Sequence, residues 1–156
     1  MSTRLREKEE RVQHVLECLA SDSSGGTPIV VEGKKDIDSL RLLGVEGEIV
    51  TAKSGKRLLD VVSEVEESGA REIILLADFD RRGRELTSRL KKHLEAAKIV
   101  VNTSFWRELS SLVGKEVKDV EGLAAYLETL KKKIYGDFGK SEPSRVPVPS
   151  SRSGTG

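Results

Sequence analysis

The side chains best suited to chemistry are acids that follow two apolar runs of the sequence. Glu32 ends the run PIVV and precedes Gly33, while Asp78 and Asp80 follow the run IILLA. Short apolar runs of this kind indicate buried strands, and the glycine lets the chain turn tightly behind the acid. Carboxylates at the carboxyl ends of parallel strands are typical of a magnesium site in a small α/β domain. The sequence therefore predicts metal-assisted chemistry on phosphates.

The spacing of these acids predicts that they share one cation. Side chains two apart in an extended strand share a face, so we expect Asp78 and Asp80 to point at the same ion. Mg²⁺ usually takes only one or two protein carboxylates, and water and substrate phosphate complete its oxygen shell. We expect Glu32, and Asp36 one helical turn further on, to line the same crevice. Carboxylates crowded together without a metal raise at least one pKa, which suits proton transfer.

Alternating strands and helices are expected to position these acids. The pattern predicts strands at 28–32, 47–51, 72–77 and 98–102, which are followed by helices at 35–43, 55–68, 82–96 and 104–113. Continuous apolar strands that alternate with helices indicate right-handed crossovers and a parallel sheet covered on both faces. The expected fold is therefore α/β and doubly wound, with a four-stranded parallel sheet flanked by helices.

The two ends of the sequence are expected to extend this unit. An amphipathic stripe predicts a helix within residues 1–22, and a Ser/Gly-rich break then separates it from the first strand. Residues 24–135 are expected to form the α/β domain, closed by a helix over 119–134 with Asp119 as its N-cap. Residues 136–156 hold three of the four prolines, and their composition predicts a disordered tail.

Composition and competing motifs exclude several classes of protein. The formal net charge is only +1, so any surface that binds a polyanion must be local. A single cysteine excludes an internal disulfide framework, and no apolar run is long enough to span a membrane, so we expect a cytoplasmic protein without a membrane partner. A Walker A loop does not match, because Pro28 stands where its first glycine belongs. Dehalogenase-type and receiver domains carry their acid pair on the first strand rather than the third.

The order of the motifs, glutamate-glycine after the first strand and Asp-x-Asp-x-x-Gly after the third, resembles the Toprim domain. The segment VVEGKKD at 30–36 is similar to small stand-alone archaeal Toprim proteins and to the ribonuclease that matures bacterial 5S ribosomal RNA. The resemblance implies a Toprim fold in which Glu32 is the general acid/base and shares the metal, while Asp78 and Asp80 are the Mg²⁺ ligands. It also implies that Mn²⁺ can substitute. Supporting roles fall to Gly33, Asp36 and Gly83.

Basic residues in the strand-end loops are expected to contact the substrate. These loops meet at the same edge of the sheet as the acids, so a near-neutral protein can still present a basic rim around an acidic centre. The predicted phosphate contacts are Lys34, Lys35, Lys53, Lys56, Arg81 and Arg82. The two arginines suit bidentate phosphate binding, or else form a solvated helix start. Trp106 either stacks on a base or packs in the first turn of a helix.

Three functions are compatible with these features. The leading hypothesis is a Mg²⁺-dependent nuclease or phosphotransferase of the Toprim type, which hydrolyses phosphodiester bonds in structured RNA or DNA. The second is a non-catalytic Toprim module that binds nucleic acid or a protein partner in a repair, replication or RNA-processing complex. The third is transfer or hydrolysis on a small phosphorylated molecule.

Overall fold

Helices and strands alternate along the part of the chain that the structure, a computed structural model, describes: residues 3–53 and 55–136. The elements are α1 (Thr3–Ser24), β1 (Ile29–Val31), α2 (Lys34–Leu42), β2 (Ile49–Thr51), α3 (Leu58–Glu67), β3 (Glu72–Leu76), α4 (Arg81–Ala96), β4 (Val100–Asn102), α5 (Ser104–Val113) and α6 (Leu123–Tyr135). The disordered tail predicted for 136–156 lies, except for Gly136, outside the described residues. Within the described ranges, none of the helices is both long and apolar enough to cross a membrane.

The strands form one parallel sheet in the order β2-β1-β3-β4. In the register of this sheet, Val31 at the end of β1 lies opposite Thr51 of β2 and Leu76 of β3. The direction of winding reverses between β1 and β3, because the chain leaves β1 toward one edge of the sheet and leaves β3 toward the other. In a doubly wound sheet, the crevice beyond the carboxyl ends of two such strands is the usual ligand site. The predicted fold class is confirmed.

Helices cover both faces of the sheet. Successive side chains of a strand point to opposite faces, so Ile29 and Val31 of β1 enter one core and Val30 enters the other. The first core also receives buried residues of α1, α2, α5 and α6. The second receives those of α3 and α4. Burial on both faces explains why the strand sequences are continuous apolar runs.

Helix α1 is longer than the sequence predicts. It continues to Ser24, through most of the segment that was expected to form a break. Ser23 is buried, and its hydroxyl accepts a hydrogen bond of 2.9 Å from the Gly47 N–H. This contact stabilises the last turn of α1 against the loop before β2. The helix then ends at a pair of glycines, of which Gly26 has a φ of +110°, a conformation that favours glycine.

The prediction that Asp119 caps the final helix is wrong. Helix α6 begins at Leu123, and Gly122 occupies its N-cap position. The Asp119 carboxylate instead accepts a hydrogen bond of 2.8 Å from the Gly122 N–H, which closes the turn before the helix. This turn brings the segment that precedes α6 to the carboxyl edge of the sheet.

Candidate functional site

An acidic crevice of about 310 Å³ opens at the carboxyl ends of β1 and β3. Carboxylates and lysines dominate its lining, which consists of Glu32, Gly33, Lys34, Lys35, Asp36, Lys53, Asp78, Asp119 and Glu121. A larger cavity of about 550 Å³ lies between α1 and α5, but it contains none of the predicted site residues. The crevice at the switch point of the sheet is therefore the candidate site.

Glu32 links the end of β1 to the loop that follows β3. The residue as a whole is only 6% exposed, which is unusual for a glutamate without partners. Its Oε2 accepts a hydrogen bond of 2.9 Å from the Asp78 N–H. Its Oε1 lies 2.9 Å from the Lys53 Nζ in an ion pair. Both carboxylate oxygens are thus engaged, one by the backbone and one by a cation of the protein itself.

Asp78 has a buried carboxylate oxygen without a hydrogen-bond partner among the described residues. Its Oδ1 is buried, and none of the described residues donates a hydrogen bond to it. Burial raises the pKa of Asp78 to about 7, with further contributions from the carboxylates of Glu32, Asp36, Asp119 and Asp80. Buried carboxylate oxygens are normally paired, so an orphaned one among other acids fits a hard cation that prefers oxygen ligands.

Asp80 begins the next helix rather than continuing strand β3. Strand β3 ends at Leu76, so the two aspartates do not lie in the extended strand from which a shared direction was predicted. Asp80 is instead the N-cap of α4, and its Oδ1 accepts a hydrogen bond of 2.8 Å from the Gly83 N–H. Asp80 is absent from the lining of the crevice. It remains near enough to raise the pKa of Asp78.

Asp36 supports the crevice from the first turn of α2. It is buried, and its Oδ2 accepts a hydrogen bond of 3.0 Å from the Gly33 N–H, which fixes the start of that helix. Burial raises the pKa of Asp36, the Gly33 N–H opposes this change, and the charges of Glu32 and Asp119 add to it. Asp36 therefore adds negative charge to the crevice while its own carboxylate is tied to the backbone.

The structure requires glycine at one of the two predicted positions, Gly83, but not at the other, Gly33. A Cβ at Gly83 would overlap the carbonyl oxygen of Asp78, so only glycine lets α4 approach the acidic loop this closely. Gly33 has an extended φ of −147°, and a Cβ there would meet nothing within 4 Å. Glycine at position 33 is thus not required by the local conformation.

Half of the predicted basic contacts line the crevice. Lys34, Lys35 and Lys53 do so. Lys56 is bound elsewhere: its ammonium donates to the Thr51 carbonyl at 3.1 Å and forms an ion pair of 2.8 Å with Glu64. The two predicted arginines are exposed at the start of α4, where Arg81 pairs with Glu85. They lie outside the lining of the crevice.

Two acids of the site were missed or given another role by the sequence interpretation, whereas Trp106 packs in the first turn of α5, as one of its two predicted alternatives has it. Asp119 and Glu121 line the crevice from the turn before α6, although only a capping role was predicted for Asp119. The turn is joined to the acidic loop by a hydrogen bond of 2.7 Å from the Phe79 N–H to the Lys118 carbonyl. Trp106 donates its indole N–H to the Asp78 carbonyl at 3.1 Å, so it positions that acid. The Asp-x-Glu pair at 119–121 was the signal available in the sequence.

The donor set fits a divalent cation, but it is not assembled around one. Within residues 3–53 and 55–136, no group of three or more His, Cys, Asp or Glu side chains is placed so that it could hold a metal ion. Both Glu32 oxygens and the Asp80 Oδ1 already have partners within the protein. The buried Asp78 Oδ1 has none among the described residues. Carboxylate oxygens are the ligands that Mg²⁺ prefers.

Comparison with known proteins agrees with this geometry. The Toprim domain model matches residues 27–106, which span β1 to the start of α5 and contain Glu32, Asp78 and Asp80. The chain belongs to the Toprim domain family. Membership indicates a metal-binding module related to nucleic acids. Asp119 and Glu121 lie outside the matched Toprim region, so the crevice of this chain also draws acids from the helical extension that follows it.

The most similar curated Toprim relatives include small archaeal proteins. A UPF0292 protein of Methanocaldococcus jannaschii is 37% identical over 119 residues, which are 76% of this chain and 91% of the relative. A UPF0292 protein of Methanosarcina acetivorans is 33% identical over 139 residues, which are 88% of this chain and 94% of the relative. Among solved structures, a putative protein from Aquifex aeolicus superposes with a TM-score of 0.60 at 27% identity, over 69% of this chain and 94% of that one.

Proposed function

We propose that the chain is a Mg²⁺-dependent enzyme that hydrolyses phosphodiester bonds in structured RNA or DNA. The observation that carries this proposal is the buried Asp78 Oδ1, which has no hydrogen-bond donor among the described residues and is surrounded by other carboxylates. Folded proteins rarely leave a buried carboxylate in this condition without a functional reason. Mg²⁺, or Mn²⁺ in its place, supplies the missing positive charge.

Each acid has a different proposed role, which follows from its surroundings. Asp78 provides a metal ligand from the crevice, and Asp80 provides a second from the first turn of α4. Glu32 provides a third ligand or moves a proton at the scissile phosphate, because one of its oxygens accepts from the Asp78 N–H and the other pairs with Lys53. Bound there, Mg²⁺ would lower the pKa of a water molecule and offset the charge that develops on the phosphate in the transition state.

The lysines and arginines serve to hold the nucleic acid. Lys34 and Lys35 are exposed on the first turn of α2, beside the acids, where their ammonium groups suit the phosphates that flank the scissile one. Arg81 and Arg82 are exposed at the start of α4, directly after the acidic loop. The lysines and arginines together supply positive charge near an acidic centre, as cleavage of a polyanion by a metal enzyme requires.

A non-catalytic module is the second candidate function. It is favoured by the fact that the acids in the described part of the chain are not assembled around a metal position as they stand. In this case the basic residues would bind nucleic acid or a protein partner would cover the crevice, while the acids would have only a structural role. Metal binding separates the two candidates, since a module of this kind does not depend on Mg²⁺.

The test combines Mg²⁺ binding with cleavage. Structured RNA, single-stranded DNA and supercoiled DNA are incubated with wild type, D80N and E32Q in Mg²⁺ or Mn²⁺, and Mg²⁺ binding is measured by calorimetry. Asparagine still accepts a hydrogen bond at an N-cap, so D80N keeps the start of α4 and removes only the charge. We expect cleavage by wild type, and a loss of at least about a hundredfold in either variant.

Asp60→Asn is the matched control. Asp60 accepts a hydrogen bond of 2.9 Å from the Arg57 N–H at the start of α3, so it supports a helix start as Asp80 does, but away from the crevice. We expect D60N to cleave like wild type. Cleavage that survives unchanged in D80N and E32Q would refute the mechanism, and the absence of Mg²⁺ binding by wild type would favour the non-catalytic module.

A further inference from the structure

Lys53 occupies one oxygen of the Glu32 carboxylate. Its Nζ lies 2.9 Å from the Glu32 Oε1, at the mouth of the crevice. The lysine side chain is 49% exposed, whereas the glutamate side chain is 8% exposed. The ion pair therefore joins a buried carboxylate to a cation that can move into solvent without unfolding anything.

Backbone hydrogen bonds fix the position of the Lys53 main chain. Its N–H donates to the Glu32 carbonyl at 3.0 Å, directly after the Ala52 N–H donates to the Val31 carbonyl at 2.7 Å. These bonds continue the pairing of β1 with β2 beyond the last residues of both strands. The Cα of Lys53 is thus held beside Glu32, and only the long flexible side chain decides whether the ammonium faces the carboxylate or the solvent.

Lys53 differs in this respect from the other lysines of the crevice. Lys34 and Lys35 line the same crevice, but neither forms an ion pair with any described residue. Lys56, three residues further on, is committed to Thr51 and Glu64. Lys53 is consequently the cation that balances Glu32, while the oxygen of Asp78 that faces the same acids has no partner.

We propose that Lys53 is an exchangeable counter-ion, which holds Glu32 in the metal-free protein and is displaced by the divalent cation, so that its ammonium becomes available to the substrate phosphate. The inference rests on the proposed metal-dependent function. The exchange involves no covalent change: the ammonium keeps its three protons, and Glu32 gives up one ion pair for another. Binding of the metal thereby also releases the Lys53 ammonium, which can then contact a substrate phosphate.

The exchange predicts that Lys53 lowers the affinity of the protein for Mg²⁺. Because the metal must displace Lys53, the ion pair weakens metal binding by the free energy that it contributes to the metal-free protein. Removing the ammonium should therefore strengthen Mg²⁺ binding. Loss of any positive charge near the crevice also strengthens Mg²⁺ binding to some degree, because it removes long-range repulsion of the cation. The control must therefore remove an equal charge without breaking an ion pair.

The experiment measures the Mg²⁺ dissociation constant by calorimetry for wild type, K53M, K53R and K34M. We expect K53M to bind Mg²⁺ about tenfold more tightly than wild type, and K34M to change the constant by less than about threefold. K53R restores a cation that can pair with Glu32, so it should bind Mg²⁺ like wild type. The Lys53 ammonium signal in nitrogen-detected NMR should shift when Mg²⁺ is added to wild type.

A second measurement needs no metal. In EDTA, the stabilities of wild type, E32Q, K53M and E32Q/K53M give the coupling between the two side chains by a double-mutant cycle. We expect a favourable coupling in EDTA that disappears at saturating Mg²⁺. This readout differs from activity, and a merely structural lysine would keep its coupling in both conditions.

The outcomes separate this inference from the proposed function. If wild type binds Mg²⁺ and cleaves nucleic acid, but K53M and K34M change the dissociation constant equally, the exchange is refuted and the function stands. If wild type binds no Mg²⁺ while the coupling in EDTA is present, the metal-dependent function fails and Lys53 is a permanent partner of Glu32, which refutes the exchange as well. Tighter binding confined to K53M, with coupling lost in Mg²⁺, supports it.

Discussion

At the scale of single residues, the surroundings of the Asp78 side chain disfavour its ionised form. Its Oδ1 is buried without a donor among the described residues, and four other carboxylates contribute to raising its pKa. Its backbone is nevertheless held firmly, since its N–H donates to Glu32 and its carbonyl accepts from Trp106. A backbone held at both its N–H and its carbonyl, with an unsatisfied carboxylate oxygen, is consistent with the proposed role of Asp78 as a metal ligand.

The raised pKa of Asp78 predicts a pH-dependent gain in stability for D78N in metal-free buffer. The folded pKa of about 7 lies above the ordinary aspartate value of 3.8, so the folded state binds the proton more tightly than the unfolded state does. The associated stabilisation is complete below the unfolded pKa and is lost as the pH rises through the folded pKa. We expect D78N to unfold at higher urea concentration than wild type near about pH 8, with a smaller difference near about pH 4.5.

The control for this prediction is Asp38→Asn, an exposed aspartate on α2. We expect the difference between D38N and wild type to change little over the same pH range. A D78N variant that is less stable than wild type at the higher pH would contradict the prediction, because it would mean that the ionised carboxylate has a favourable partner in the folded protein.

At the scale of elements, the start of α4 determines how the acidic loop is held. Asp80 caps the helix through the Gly83 N–H, and the Cα of Gly83 lies against the Asp78 carbonyl. Thr87, one turn later, donates its hydroxyl to the Gly83 carbonyl at 2.8 Å. The Asp-x-Asp-x-x-Gly sequence is therefore a structural unit in which the second aspartate and the glycine fix the position of the first.

Alanine at position 83 is expected to disturb both stability and metal binding. The added Cβ overlaps the Asp78 carbonyl, so the helix and the acidic loop must move apart, at a cost of about 1–3 kcal/mol. Urea denaturation of G83A measures this cost, and calorimetry measures the accompanying loss of Mg²⁺ affinity.

Gly33→Ala is the matched control for G83A. A Cβ at Gly33 meets nothing within 4 Å in an extended conformation, and an N-cap alanine replaces a residue without a side-chain cap, so we expect a change below about 1 kcal/mol. Equal destabilisation by the two substitutions would show that the contact between α4 and the acidic loop has no special energetic role.

At the scale of the whole molecule, helices from both ends of the chain complete one core. Residues of α1, including Leu16 and Leu19, pack with Leu123 and Leu127 of α6 on the same face of the sheet. The Toprim match ends at residue 106, but this core continues to Ile134. Ser39 of α2 also accepts a hydrogen bond of 3.1 Å from the Ala124 N–H. We therefore propose that α1, the sheet and α6 unfold together, rather than as a separate helix and domain.

Truncation of Leu16 tests this cooperativity. Leu16 is 1% exposed, so L16A should lower the free energy of unfolding by about 2–5 kcal/mol. Leu42, which is 81% exposed, is the control, and L42A should change stability by less than about 0.5 kcal/mol. Unfolding of L16A is followed by circular dichroism and by Trp106 fluorescence. If α1 unfolded in a separate early step that left the Trp106 signal unchanged, the single unit would be disproved.

The sequence by itself determined the fold class and the positions of the principal acids. Both follow from local patterns: apolar runs bury on two faces, helices alternate with them, and the residue that ends a strand lies at the edge of the sheet. The ends of the elements were less well predicted. Ser23, for example, extends α1 through a hydrogen bond with Gly47, 24 residues away in the chain.

Only the tertiary structure decided which residues of the site contact one another. The link between Glu32 and the Asp78 N–H spans 46 residues, and no local pattern encodes it. The pairing of Lys53 with Glu32 depends on the alignment of β1 with β2, and the arrival of Asp119 depends on where α6 docks. Asp78 and Asp80 were predicted to share the face of an extended strand, but β3 ends at Leu76 and Asp80 caps α4. Side-chain direction follows from where an element stops and what packs beside it, and these are properties of the assembled fold.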